Sequence, residues 1–296
     1  MIKNGSLDPD IHTEPFNGKL VVITGATSGI GRLVAKKYAA MGANLLTINR
    51  SEEKSAELRN EIESEFNVQC DYLIADLSRL EDMHSVAGSL AKLESAIDVL
   101  IFNAGIYLTK KEYTPDGIEQ VLAVHYLSYF VITHGLLDKL KAQGSSRIIV
   151  VSSEGHRFAA WGLRLNDLNF KKRHYSGLKS YGSAKLAQLL SMLKFDDLFQ
   201  GTGVTINAMH PGAVKTETGQ ENGKLYKCYK RNVLDRMLKH PDVSAEALYY
   251  LGVSPEMEGV SGKFFNLTTL EIPAPPALDK EIAEELWEQT VPLAKL

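Results

Sequence analysis

Cysteine is nearly absent from this chain. Only Cys70 and Cys228 occur among 296 residues, far apart and without metal-ligand spacing. That excludes a disulfide framework and a zinc module, and both cysteines read as reduced thiols of a cytoplasmic protein. Long apolar runs are also missing, so no membrane span is expected. The first eighteen residues, which include Asp8, Asp10 and Glu14, lack the apolar core of a secretory signal and read as an N-terminal arm or tail. Basic residues are not in excess: 33 Lys and Arg stand against 36 Asp and Glu, a formal net charge of -3. A nucleic-acid partner would ordinarily need a basic surface, so none is expected. Internal repeats, low-complexity tracts and interdomain linkers are absent too.

What is present is a core-forming composition, 44% hydrophobic, arranged as alternating strand and helix patterns. Short apolar, β-branched runs mark strands at Leu20–Ile23, Leu45–Ile48, Asp71–Ala75, Val99–Phe102, Arg147–Val151, Val204–Ala208 and Gly262–Phe265. Helical periodicity covers Leu33–Met41 and starts again near Glu52, Leu80, Pro115, Ser180 and Ser244. Such alternation predicts an α/β fold, a parallel sheet with helices on both faces. Residues 19–296 read as one domain of this kind.

Two motifs carry chemistry. After the first strand comes Thr24-Gly25-Ala26-Thr27-Ser28-Gly29-Ile30-Gly31, and a helix follows it. Strand, glycine turn and helix form a pyrophosphate cradle: glycines admit close backbone approach, and the helix N-terminus offers free N–H groups. A glycine turn standing alone would be only a tight turn. The second motif is Tyr181-Gly182-Ser183-Ala184-Lys185. Four residues make about one helical turn, so the phenol and the ammonium share a face. A nearby ammonium favours the phenolate and lowers the tyrosine pKa from about 10, which suits proton exchange near neutrality.

With Asn103-Ala104-Gly105 and Ser152-Ser153 these motifs complete a set of four, and in that order the chain resembles a short-chain dehydrogenase/reductase. The three residues between Gly25 and Gly29 match the compact members rather than the extended ones. The resemblance implies a Rossmann-type, doubly wound, seven-stranded parallel sheet and a small helical substrate lid at about 217–240. It implies hydride transfer between a nicotinamide and a carbonyl or alcohol carbon. Tyr181 is then the acid/base, Lys185 holds the nicotinamide ribose and lowers the Tyr181 pKa, and Ser153 orients the substrate oxygen. Either serine can instead be a strand-end turn former. Asp76-Leu77 would lie by the adenine and Asn103-Ala104-Gly105 against the cofactor, although Asp76 can be a helix cap and Asn103 a structural hydrogen-bonder. Pro211-Gly212, Val214 and Thr216 would pass the nicotinamide.

The second strand ends in Asn49-Arg50. NAD enzymes place a carboxylate at this tip for the ribose. A neutral Asn49 followed by a guanidinium favours the 2′-phosphate of NADP(H). The alternative is an Arg50 paired with Glu52 or Glu53.

Family members commonly carry an asparagine in the helix before the fifth strand, where it serves a water relay to the lysine; here His125 takes its place. A neutral imidazole can accept and donate one hydrogen bond each, so it can keep a relay or merely pack. The stretch from Ser153 to Tyr181 is long (181 minus 153 gives 28). With Leu165-Asn166-Asp167-Leu168-Asn169-Phe170 and Ser254–Phe265 it resembles the retinol dehydrogenase and WW-domain oxidoreductase branch. Substrate contacts are expected from Ile106-Tyr107-Leu108, His156-Arg157-Phe158, Trp161 and Glu217–Leu238, an aromatic and apolar wall suited to a bulky lipophilic carbonyl or alcohol. In the family the helices at Pro115–Lys141 and Ser180–Gln200 often pair across a two-fold axis, so a homodimer is expected, unless the insert covers that face. The other class of function to weigh is a dinucleotide-binding regulator or scaffold with little turnover.

Overall fold

The computed structural model describes residues 8–212, Val214 and residues 240–296. The expected lid from 217 to 239, Thr216 and Cys228 lie outside the described residues. The strands are β1 (Leu20–Thr24), β2 (Asn44–Asn49), β3 (Cys70–Ile74), β4 (Val99–Phe102), β5 (Ser146–Val151), β6 (Val204–His210), β7 (Phe264–Asn266) and β8 (Thr269–Glu271). They form one sheet in the order β3-β2-β1-β4-β5-β6-β7-β8. The first seven run parallel, as expected. The eighth was not expected: the chain turns back at Leu267, in the left-handed region with φ 54, and β8 pairs antiparallel with β7.

Alternation along the strands puts opposite residues on the two faces. Val22, Leu100, Ile148 and Ile206 belong to one core cluster, and Val21, Ile23, Val99, Ile101, Ile149 and Met209 to the other. The first cluster packs against α3 (Leu80–Ala91), α5 (Ser128–Gly135) and α7 (Gly177–Phe199). The second packs against α1 (Gly29–Ala40), α2 (Glu52–Phe66) and α8 (Asp242–Val253). Each fully buried aliphatic side chain contributes about 2 kcal/mol against the entropy of ordering it. Order reverses between β1 and β4, which opens the crevice where ligands of such sheets bind.

The helix expected from Pro115 is shorter and broken. Thr114–Ile118 form a turn, Gly117 taking φ +74, and Glu119 caps Leu122 N–H at 2.8 Å. Then α4 (Gln120–Leu122) runs into a π turn at Ala123–Leu127, followed by α5 and α6 (Leu137–Gln143), with a 54° bend before α6. Among the described residues no single helix is long and apolar enough to cross a membrane.

From Asp10 on, the N-terminal arm is tied down. Asp10 N–H donates to Thr268 Oγ1 (2.9 Å), Tyr249 O–H to Glu14 C=O (2.5 Å) and Phe16 N–H to Met41 C=O (2.7 Å). At the other end α9 (Lys280–Leu293) lies on α5 and α7, the helices expected to pair in a dimer. Trp287 meets Phe130 and Phe195 edge-on at 4.7 and 4.9 Å, and Tyr126 bonds Thr290 at 2.7 Å. The apolar stripes read from the sequence as an intersubunit face are thus covered, at these positions, by the chain's own C-terminal helix rather than by the insert.

Candidate active site

At the carboxyl ends of β1, β4 and β5 lies a cavity of about 540 Å³. Its floor is the glycine turn. Gly25 and Gly29 take φ +69 and +53, a region that L side chains rarely adopt. A Cβ on Gly31 would collide with the Gly25 carbonyl, so the turn closes only with glycine there. Thr27, Ser28, Gly29 and Ile30 line the cavity at the start of α1.

Two asparagines hold this turn. Asn103 Nδ2 donates to Thr24 C=O (3.2 Å) and Gly25 C=O (2.9 Å), while Thr24 Oγ1 accepts the N–H groups of Asn103 and Ala104 at 3.0 Å. Asn49 Oδ1 accepts Ala26 N–H at 2.7 Å, and its Nδ2 donates to Thr47 Oγ1 at 3.0 Å. Asn49 therefore reaches the cavity wall with its amide already engaged in supporting the loop. Asp76 does double duty: it lines the cavity beside Leu77, and its Oδ1 caps Ser78 N–H at 3.0 Å.

The cations at this end are distinct in state. Arg32 and Lys36 of α1 are paired with Glu61, Lys36 also with Glu65. Arg50 lines the cavity and, among the described residues, makes no ion pair with Glu52, Glu53 or any other carboxylate. Ser51 and Lys54 line the same wall and were not singled out in the sequence. The sequence carried no periodic signal for an Arg50 and Lys54 pair, because Arg50 precedes the extended N-cap Ser51 while Lys54 lies in the first turn of α2.

At the opposite end the expected trio converges. Ser153, which starts the 3-10 turn Glu154–Ala159, accepts Gly155 N–H on Oγ at 2.9 Å and hydrogen-bonds Tyr181. Ser152 Oγ is buried with no hydrogen-bond partner among the described residues, so Ser153 is the serine joined to the tyrosine. Gly155 lies close against the Tyr181 ring, where a Cβ would overlap Cε1. Lys185 is buried, donates from Nζ to Val151 C=O at 2.7 Å, and sits 5.7 Å from the Tyr181 ring centre.

Charge states depart from the sequence expectation. Burial raises Tyr181 above its ordinary value, opposed by the bond with Ser153. Burial also pulls Lys185 from 10.5 to about 7, so near neutrality the ammonium is only partly populated. The expected lowering of Tyr181 by Lys185 is therefore not found in the protein alone.

His125 sits in the π turn, a device frequent at functional sites. Its ring stands edge-on to Tyr181, centroids 5.3 Å apart at 88°, and Gly105 leaves the room it fills. Nε2 lies 3.0 Å from Ile106 N and 2.8 Å from Ile106 O, and Nδ1 is buried with no partner among the described residues. Burial, then the Lys185 charge, hold its pKa well below the usual imidazole value. The neutral form that a relay requires is thus the one present.

Pro211, Gly212 and Val214 line the cavity after β6, and so does His210, which the sequence reading passed over. Burial pushes His210 down to about 4. Of the expected substrate contacts, Ile106 lines the cavity and Tyr107 meets Tyr181 edge-on at 5.9 Å. His156 does not: it is completely buried beneath the serine turn. Arg157 is paired with Glu154 and Glu271, and Trp161 is 99% exposed.

The donor set and the glycine cradle fit a dinucleotide laid from Arg50 to Tyr181. The comparisons agree. Residues 19–162 match the short chain dehydrogenase family. Retinol dehydrogenase 13 of Homo sapiens is 36% identical over 284 residues, 94% of this chain and 85% of that protein. The WW domain-containing oxidoreductase of Danio rerio is 28% identical, over 94% of this chain and 69% of its own length. An uncharacterised protein from Mycobacterium Paratuberculosis superposes with a TM-score of 0.75 at 27% identity, covering 97% of this chain and 96% of that one. The chain belongs to the short-chain dehydrogenase/reductase family of oxidoreductases, in its retinol dehydrogenase-like branch.

Proposed function

We propose that this protein is an NADP(H)-dependent oxidoreductase that interconverts a bulky, lipophilic carbonyl compound and its alcohol. One observation carries the reading: a single cavity has Ser153, Tyr181 and Lys185 at one end and, at the other, the cations Arg50 and Lys54, which form no ion pair among the described residues. Two cations that make no ion pair among the described residues match a 2′-phosphate, which a carboxylate at the strand tip would repel. The glycine turn and the start of α1 would hold the pyrophosphate.

The nicotinamide, when bound, supplies or accepts the hydride. The protein manages the oxygen and its proton. In the reducing direction Ser153 donates a hydrogen bond to the carbonyl oxygen, and Tyr181 gives that oxygen its phenolic proton as the carbon is reduced. Lys185, charged, then stabilises the phenolate until a proton returns from solvent. His125, neutral and edge-on to Tyr181, is suited to pass that proton through Nδ1, which has no partner among the described residues. Ile106 in the cavity wall, Tyr107 against the Tyr181 ring and Phe158, whose Cβ lies beside Gly182, give this end apolar surface that favours a lipophilic substrate.

The test is NADPH oxidation by the purified protein with all-trans-retinaldehyde, nonanal and benzaldehyde, alongside Tyr181→Phe. Loss of the general acid should cut turnover by a factor of about 100 to 10,000 while NADPH binding is kept. Near-normal turnover by Tyr181→Phe would refute the mechanism. Tight NADPH binding without turnover of any aldehyde by the wild type would leave a dinucleotide-binding regulator.

A further inference from the structure

His156 was expected at the substrate and is instead walled off beneath it, with both ring nitrogens engaged. Nε2 is 3.0 Å from the backbone nitrogen of Ala274. A backbone N–H can only donate, so Nε2 must be the unprotonated acceptor. The proton therefore sits on Nδ1, which donates to the carbonyl oxygen of Ser153 at 2.7 Å. Only the neutral Nδ1–H tautomer makes both bonds; the cation and the other tautomer each place a proton against the Ala274 N–H.

The two bonded segments are remote in sequence. Ser153 follows β5, and Ala274 follows β8, the antiparallel strand that the sequence did not announce. The ring bridges them, edge-on to Phe264 of β7 at 5.1 Å and 75°. Arg157 adds a second tie, to Glu154 at 2.6 Å, Glu271 at 3.3 Å and Ile272 C=O at 3.2 Å. The titratable groups facing His156 are Glu154 and Arg157 of its own turn, Glu271 of β8 and His210 of β6.

The Ser153 carbonyl also accepts His156 N–H at 3.2 Å, and Ser153 Oγ accepts Gly155 N–H. The peptide that His156 grips is therefore the one from which the substrate-orienting hydroxyl projects, in the turn whose Gly155 supports the Tyr181 ring.

We infer that His156 is a positioning residue, a neutral imidazole latch that ties the catalytic serine turn to the C-terminal β7–β8 hairpin and so fixes the Ser153 hydroxyl against Tyr181. The inference rests on the proposed roles of Ser153 and Tyr181.

Two variants separate the bonds. In His156→Asn the amide N–H replaces Nδ1 and keeps the bond to Ser153. In His156→Gln the longer side chain reaches Ala274 with its oxygen and leaves the serine carbonyl without its ring donor. With all-trans-retinaldehyde and NADPH, His156→Asn should keep kcat within about threefold, whereas His156→Gln should lose about 10- to 100-fold in kcat at an unchanged KM for NADPH. Melting temperatures of the two variants control for folding. Equal kcat for both variants, or losses that simply follow the melting temperatures, would overturn the positioning role. Nitrogen-15 NMR of the wild-type ring decides the latch independently of activity: the neutral Nδ1–H pattern supports it, and an Nε2–H or charged ring overturns it. A wild type that reduces no aldehyde sinks the oxidoreductase reading and the positioning role together, whereas a working wild type with indistinguishable variants sinks the positioning role alone.

Discussion

Replacing Lys185 by methionine should destroy turnover and yet stabilise the fold, by an amount that depends on pH in a calculable way. Lys185 is buried, and its one described hydrogen bond is to the Val151 carbonyl. Burial lowers its pKa from 10.5 to about 7. Between these two values the unfolded chain binds a proton that the folded chain has released, so wild-type stability rises as pH rises. The full difference of 3.5 units (10.5 minus 7) corresponds to about 5 kcal/mol of penalty for keeping the ammonium in the fold at low pH. Linkage divides it by pH: near pH 6 the penalty is about 4 to 5 kcal/mol, and near pH 9 it falls to about 2 kcal/mol. Methionine of similar volume carries no such charge, although it forfeits the bond to Val151 at both pH values, a loss of about 1 kcal/mol. Urea unfolding of the cofactor-free wild type and Lys185→Met near pH 6 and near pH 9 measures the gap directly. The variant's advantage should shrink by about 2 to 3 kcal/mol on going from the lower to the higher pH. A gap independent of pH would refute the reasoning, for it would mean that Lys185 keeps an ordinary pKa inside the protein.

Three further outcomes are expected. Arg50→Ala should weaken NADP(H) at least about tenfold and spare NAD(H), measured by fluorescence titration; equal losses would show that Arg50 does not discriminate. His125→Phe should lower kcat by about tenfold or more while His125→Asn retains it, since an amide can also accept and donate. Because burial and the Lys185 charge keep the ring neutral, neither the wild type nor His125→Asn should show an acid limb from this residue near the usual imidazole value. A wild-type limb there that vanishes in His125→Asn would show that the ring titrates normally, and equal kcat for both His125 variants would make it a packing residue. Light scattering at micromolar concentration should give a monomer mass, because Trp287 of α9 occupies the face that would pair; a dimer that breaks on mutation of Phe130 would overturn this.

The parallel part of the sheet was legible because its inner strands are buried on both faces and, like the half-exposed edge strand β3, fall as short runs between helical patterns. Seven of the eight strands were found that way. β8, with Thr269 and Leu270 exposed and only three residues long, carries no such run, so no pattern marked it. The helix from Pro115 was overextended for the opposite reason: apolar residues on every side, from Val121 to Ile132, continue through the π turn, and periodicity alone cannot register one extra residue in a turn. The C-terminal helix shows what a one-dimensional stripe omits. Apolar residues on Phe130 and Phe195 said that something covers them, and only the fold says that Trp287 does.

For the site, the sequence located groups better than it assigned their states. Tyr181, Lys185 and Ser153 converge because a helical i,i+4 spacing and a strand end are local facts. The sign of the Tyr181 shift is not local: it is set by the burial of the phenol itself, and burial also takes from Lys185 much of the charge that was to act on the tyrosine. Asn49 and His156 went the same way. Each was read from its neighbours in sequence as facing a ligand, yet each is engaged by a backbone group from a distant turn, Ala26 and Ala274. A polar side chain beside a cavity has two competing partners, the ligand and the protein's own unpaired N–H groups. A buried N–H left unpaired costs about 1 to 3 kcal/mol, so a side chain that can satisfy it tends to be claimed by the scaffold first. Arg50 escapes that claim because a guanidinium has no acceptor to offer a backbone N–H. The same reasoning that gives Asn49 a scaffold bond at the cavity wall leaves Arg50 in that wall without an ion pair among the described residues.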